Sequence, residues 1–288
     1  MKRYRVPELA QKYMKHDMIS NNMEMPVFPD TRIRLLSVFL DKNPVAKRHS
    51  ELYSLATSLV QMALDTHDLI DPSDEIKPER EMRTRQVNVL AGDFFSSRFY
   101  QLLAQAGEVD MIRQLSDAVA EVNRLKMNLY MRMKQCLLTT EEYTSTLVQL
   151  KTQLFTAFNQ LVDDVNKKFW PELLQAFTLC EIVREELSKE NDLHTFEGSW
   201  AYWHILQEGV EEDQTLLREN KVEDRHVKTL WAKYNIQNLL LDKLRHTVTD
   251  IQSILREPAP EKFLRELMNI GEPFFRMTRE TLTVVKEG

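Results

Sequence analysis

Residues 87–107 read VNVLAGDFFSSRFYQLLAQAG. Val87, Leu90, Phe94, Phe95, Phe99, Tyr100, Leu102 and Leu103 nearly encircle the axis of a helix with about 3.6 residues per turn. A helix that is apolar on nearly every side is a buried one. Two placements satisfy that rule. The helix is the centre of a helical domain, or it packs on the core with one face and on another subunit with the other. Composition favours the central placement, while the enrichment of aromatic side chains at interfaces keeps the second open. Gly107 suits the left-handed position that closes a helix, and Pro78 marks the region where the helix opens.

Helical signals continue on both sides. Thr31–Leu40 is amphipathic, and 47–70 places Leu52, Leu55, Leu59, Met62 and Ala63 at helical spacing until Asp71-Pro72 ends it. A further helix is expected over 109–138. Thr139 and Glu142 have capping-box spacing and predict a long helix to about residue 168. Trp170-Pro171 restarts the chain toward residue 189. Beyond 191, segments 195–209 and 222–255 read as helices, 211–226 as an exposed connection. Pro258, Pro260, Gly271 and Pro273 predict two short terminal helices. The expected fold is all-α, with a helical core over 1–190 and a helical C-terminal region over 191–288.

Composition agrees with that class. Only 6 of 288 residues are glycine, and 43% are hydrophobic, enough for one sizeable core. The net charge of −6 argues against nucleic acid as a partner. No apolar run approaches the roughly 20 residues of a membrane span. The basic start, MKRYRVPELAQKYMKHD, is not followed by an apolar stretch, so it is not expected to be a signal peptide. Cys136 and Cys180 lie in no CxxC and are expected to be reduced, buried thiols of a cytoplasmic protein.

Catalytic signatures are sparse. No GxGxxG, GxxxxGKS or HExxH occurs. Glu223 and His226 have the ExxH spacing of di-iron bundles, but in a single copy, which favours a solvated helix face. Asp163-Asp164 lacks further acids to complete a metal site and reads as surface charge. The informative stretch is DTHDLID at 65–71. His67 and Asp71 share one helix face. Oxygen ligands at this spacing hold Mg²⁺ with substrate phosphates, yet histidine is a poor ligand for so hard a cation. Taken alone, an ordinary polar helix end explains it.

Four segments in order then carry a resemblance: THDLID at 66–71, VLAGDFFSSRF at 89–99, QLKTQLF at 149–155 and TLCEIVREELS at 178–188. Over about residues 30–190 they resemble the trans-prenyl diphosphate synthases. That family has a DDxxD motif at a helix end, an L-x-GD helix, a KT-x-LF helix and a second DDxxD. The resemblance implies an isoprenoid-synthase-like helical bundle with a degenerate active site. In the family, both aspartate motifs hold Mg²⁺ bridged to an allylic diphosphate. Here His67, Asp68 and Asp71 stand at the first motif, and Arg184, Glu185 and Ser188 at the second. An arginine repels the metal. The family's RRG segment before the GD helix is missing, and Arg83 and Arg85 are not carried over as substrate ligands. Lys151 and Thr152 match the lysine–threonine pair that contacts diphosphate, and are a remnant of it.

The run RTRQVNVLAGDFFS at 83–96 further resembles the component 1 family of two-part heptaprenyl diphosphate synthases. That implies a non-catalytic subunit in a heterodimer that supplies the menaquinone side chain. The catalytic partner carries Mg²⁺ and the isoprenoid diphosphates, and no cofactor is expected on this chain. It also implies that the GD helix lines the subunit interface. The aromatics of that helix, Phe94, Phe95, Phe99 and Tyr100, are the proposed contacts; they project in at least two directions, so one set is expected to fill the chain's own core and the other a partner's groove. Two other readings stay open: an active prenyl or terpene synthase with divergent motifs, and a helical scaffold or regulator outside isoprenoid metabolism.

Overall fold

The computed structural model describes residues 3–70, 78–189, 193–257 and 259–287, with side chains to residue 280. Among the described residues there is no strand. The helices are α1 Val6–Met14, α2 Asp17–Ser20, α3 Asp30–Leu40, α4 Ser50–Asp68, α5 Glu79–Gln105, α6 Val109–Lys134 and α7 Thr140–Thr156. There follow α8 Phe169–Leu187, α9 Leu193–Phe196, α10 Trp200–Glu208, α11 Glu211–Arg218, α12 Asp224–Lys233, α13 Ile236–Ile254 and α14 Glu261–Glu287. Contacts sort the chain into two units. One comprises Met1–Val119 and Leu154–Trp170, the other Ala120–Gln153 and Pro171–Gly288. The expected division near residue 190 rests on sequence texture and stays a proposal.

In the first unit the central helix is α4, not α5. From Tyr53 to Leu64 every α4 residue is buried, and α1, α3 and α5 pack around it. Small side chains permit this. Ser54, Ala56, Thr57, Ser58 and Ala63 let neighbouring helices approach closely. The hydroxyls of Thr57, Ser58 and Thr66 donate to the α4 carbonyls of Tyr53, Leu55 and Met62, at 2.8, 2.7 and 2.7 Å. Burial of these three therefore leaves no unpaired donor, whereas Ser54 Oγ finds no partner among the described residues. In contrast α5 buries one stripe, Asn88, Ala91, Phe95, Phe99 and Leu103, and leaves its other side uncovered in this chain. Of the two expected placements, the central one therefore falls to α4, and α5 has the single core-facing stripe of the other.

Helix ends follow local chemistry. At the end of α5, Gly107 takes φ +76, its N–H donates to Ala104 O, and Glu108 N–H donates to Leu103 O. That is the Schellman pair of bonds. Cys136 and Asn220 occupy the same left-handed position after α6 and α11. The Thr139–Glu142 capping box is formed: Thr139 N–H donates to Glu142 Oε2 at 3.0 Å and Glu142 N–H to Thr139 Oγ1 at 3.2 Å.

Several expectations about helices differ from the structure. Segment 222–255 breaks at Asn235, with φ 52, into α12 and α13, and the helix expected over 109–138 ends at Lys134. The helix opened by that capping box ends at Thr156, not near 168. Phe158 turns into the core, and Asn159 Oδ1 accepts from the Trp170 indole N–H at 2.8 Å, trading helix continuation for a buried aromatic cluster. The segment 211–226 is not only a connection, because Leu217 is buried and anchors α11. The terminal segment is one helix that runs through Gly271 and Pro273. Proline removes the bond to the carbonyl of Asn269, which lies on the exposed face where water can serve it. Gly271 leaves room for the Phe275 ring.

Candidate functional site

The first aspartate-motif remnant lies in the first unit, at the last turn of α4. His67 packs its imidazole flat against α5 at Gly92. A Cβ on residue 92 would stand 2.5 Å from His67 Nε2, so any larger residue there displaces the ring. Beside it, Asp93 Oδ1 is 3.6 Å from His67 Nε2. The glycine and aspartate of the LAGD segment are thus both engaged with the residue that replaces the first motif aspartate. One turn earlier, Asn88 is buried; its amide donates to Leu69 O at 3.4 Å, while Oδ1 has no partner among the described residues. Asp68 is exposed on the same helix end, and Asp71 lies outside the described residues. Arg83 pairs with Glu79 at 3.1 Å.

The second remnant lies in the other unit, between α7 and α8. Lys151 Nζ donates to both carboxylate oxygens of Glu185, at 2.9 and 2.7 Å. The Thr152 hydroxyl donates to its own helix at Val148 O, 2.8 Å away. Arg184 places its guanidinium 5.1 Å from the centroid of the Phe274 ring on α14. Ser188 Oγ donates to Glu185 O at 2.6 Å. These residues do not fit a Mg²⁺ site. The first position is a cation, the one carboxylate is held by a lysine, and the hydroxyl is spent on backbone. Among the described residues, no group of three or more His, Cys, Asp or Glu side chains is arranged to hold a metal ion.

The aromatic residues assigned to an interface separate into two sets. Phe95 and Phe99 are buried in the chain's own core, Phe95 completely, against Ile19, Met62, Ala63 and Ala91. They form the core-facing set of the four aromatics, and the pairing role of the other two is a proposal. Phe94 is half-buried under the Arg98 guanidinium, 4.6 Å from its ring centroid, and Tyr100 is 57% exposed. The outward seam of α5 is Met82, Gln86, Val89, Asp93, Ser96 and Tyr100, at alternating spacings of four and three residues, with Leu90 beside it at 67% exposure. This is the periodicity by which one helix presents a stripe to another. Met82 and Val89 were not singled out in the sequence, because the register of the exposed stripe shows only once the buried face of α5 is known.

Other candidates resolve into structure. His226 Nδ1 accepts the Glu223 N–H at 3.2 Å, so the ExxH pair caps α12. Asp163 accepts from Asn166 Nδ2, and Asp164 pairs with Lys167. Cys136 is exposed, against expectation, because its left-handed turn lies on the surface. Cys180 is buried, and burial first, then the nearby Glu181 carboxylate, pushes its thiol up to about 12. Unforeseen was Glu186, a buried carboxylate on α8. It accepts from the Tyr143 hydroxyl at 3.1 Å, Lys189 Nζ at 2.7 Å and Trp200 N–H at 2.8 Å, the last at the start of α10. Burial, with Glu186 beside it, holds the Tyr143 phenol well above its usual range. No local pattern announces the links of this network to Trp200 and Tyr143, which are 14 and 43 residues from Glu186.

Comparison with known proteins follows this geometry. Residues 16–236 match the family described as heptaprenyl diphosphate synthase (HEPPP synthase) subunit 1. Heptaprenyl diphosphate synthase component 1 of Geobacillus stearothermophilus is 28% identical over 195 residues, 68% of this chain and 81% of that protein. Among solved structures, decaprenyl diphosphate synthase from Rhodobacter capsulatus superposes with a TM-score of 0.68 at 13% identity, covering 95% of both chains. Polyprenyl synthase from Caulobacter crescentus, complexed with calcium and isoprenyl diphosphate, gives 0.69 at 15% identity, over 95% of this chain and 93% of that one. At these identities the structures establish the all-α isoprenoid-synthase fold. A prenyl synthase fold with neither aspartate motif intact, matched over most of its length by one family, places this chain in the heptaprenyl diphosphate synthase subunit 1 family.

Proposed function

We propose that this chain is the non-catalytic subunit of a two-component long-chain prenyl diphosphate synthase, acting by pairing with a catalytic subunit that bears intact DDxxD motifs. The observation that carries the reading is the second remnant. On a prenyl synthase fold, the residues that would face metal and diphosphate are closed on one another as Lys151 and Glu185. In this reading Mg²⁺ and both isoprenoid diphosphates reside on the partner, the product is the heptaprenyl precursor of the menaquinone side chain, and the complex is cytoplasmic. No described helix is long and apolar enough to cross a membrane, which is compatible with that location. The outward seam of α5 is the surface we assign to pairing.

The test is an assay of three samples: the purified chain, a DDxxD-bearing synthase from the same organism, and both together, each with farnesyl diphosphate, isopentenyl diphosphate and Mg²⁺. Long-chain product is expected only from the mixture. Turnover by the chain alone would make it an active synthase with divergent motifs. A mixture no different from the synthase alone would leave a helical scaffold outside isoprenoid metabolism as the better reading.

A further inference from the structure

Charge is unevenly spread along this acidic chain. Of its 38 Lys and Arg and 44 Asp and Glu, residues 1–16 hold five and one, so that stretch carries +4 and the remainder −10. The fold gathers these early cations with two later ones at one edge of the first unit. On α1, Val6 and Ala10 face inward and the helix packs on α4. Lys12 and Lys15 lie on the opposite, exposed side, and among the described residues no ion pair engages them. Arg5 reaches Glu51, in the first turn of α4, at 3.4 Å, and the turn just before that helix, Ala46–Arg48, exposes Lys47 and Arg48. Arg3 stands 3.9 Å from Glu8. Both pairs are exposed, and pairs of that kind hold loosely. Glu8 and Asp17 are the acids of this stretch, fewer than the cations around them.

We infer that this edge is a docking surface for an anionic phospholipid bilayer, held by charge and without insertion. The apolar stripe of α1 is already spent on α4, so the helix meets the bilayer with its basic side, unlike an amphipathic helix that buries its apolar face in lipid. Each Lys or Arg brought near an anionic bilayer strengthens attachment severalfold. The −10 of the remainder does not cancel this, because charges more than about 10 Å from the bilayer are largely screened at 0.1 M salt. Exposed apolar side chains among the cations favour lipid over nucleic acid or an acidic protein. Met18, at 60% exposure, follows Lys15 by three residues, and Val45, at 64%, precedes Lys47 by two. A headgroup layer accepts both kinds of side chain. The inference goes beyond the proposed function and draws on it only for biological sense: a synthase whose product carries a long apolar tail would release that product beside lipid.

Co-sedimentation of the full chain with vesicles tests this. Vesicles of phosphatidylcholine with about one-third phosphatidylglycerol are expected to pellet the chain at about 0.05 M salt and to release it at about 0.5 M. Vesicles of phosphatidylcholine alone are expected to leave it in solution. Lys12→Gln with Lys15→Gln is expected to weaken binding about tenfold at an unchanged melting temperature. Lys47→Gln with Arg48→Gln is expected to act in the same direction, and decides the matter if the first variant misfolds. Lys228→Gln with Arg256→Gln, exposed cations of the other unit, is expected to leave binding as it was. A wild-type chain that stays in solution with the anionic vesicles overturns the proposal. So does equal binding to neutral vesicles, or binding that survives the loss of both cation pairs. Retention on polyglutamate or duplex DNA as tight as on the vesicles, at the same salt, also overturns it, because the edge would then be a surface for acidic macromolecules. No partner is present in these samples, so failure to pair with any synthase would strike the proposed function and leave the lipid surface standing.

Discussion

Gly92 and His67 make one object. The imidazole lies where a β-carbon would be, and so the glycine of the LAGD segment is required by a neighbour, not by its own backbone. Gly92→Ala is expected to destabilise the chain by about 1–3 kcal/mol, as overpacking does. His67→Ala in the same chain is expected to recover most of the loss. Thermal unfolding of the two variants checks this, and equal melting temperatures for single and double variants would contradict it. Titration supplies a second expectation at this scale. Tyr143 and Cys180 are both buried, and both are held in their neutral forms above the ordinary values of 10.0 and 9.0. When unfolded, each ionises from those ordinary values upward, while the folded protein keeps the proton. Their contribution is therefore complete below about pH 9 and is lost as pH rises toward the folded values. Each costs on the order of 1.4 kcal/mol per pH unit in its window. Urea unfolding between pH 8 and 11 is expected to show this decline. Cys180→Ala is expected to flatten it by about one proton.

Helices were readable where chemistry is local and misread where it is not. The Thr139–Glu142 box and Gly107 declare their helix ends within a few residues. By contrast, the central position of α4 depends on serines and threonines that bond to their own helix, which hydropathy scores as polar. Likewise the apolar residues of α5 left two placements open, because their number alone does not say which stripe the neighbouring helices cover. The site residues were legible as deviations from an aspartate pattern. Their closure into Lys151–Glu185 was not, since it joins residues 34 apart. Two expectations belong to elements. Cys136 takes φ 51 at the end of α6, a conformation that suits glycine, so Cys136→Gly is expected to stabilise by about 0.5–1 kcal/mol in denaturant unfolding. Phe95, wholly inside the core on α5, is expected to cost about 3–5 kcal/mol when cut to alanine. A loss below 1 kcal/mol would contradict its placement.

On the scale of the whole molecule, the chain has a prenyl synthase fold and, in our reading, neither aspartate motif intact. What it still offers is the uncovered side of α5. That surface belongs to a partner in our account, and α5 has the shape for it: Ser96 lets a helix approach closely, while Met82, Val89, Leu90 and Tyr100 supply apolar area. Large central contacts of this kind often contribute about 2 kcal/mol each, roughly thirtyfold in affinity. The most direct measurement is the dissociation constant between this chain and the DDxxD-bearing synthase of its own organism, by sedimentation, for the wild type and for Leu90→Glu with Tyr100→Ala. The account expects a wild-type complex, and in the variant at least thirtyfold weaker binding with an unchanged melting temperature and a matching loss of long-chain product. Equal affinity in a variant that remains folded would show that α5 is not the pairing surface.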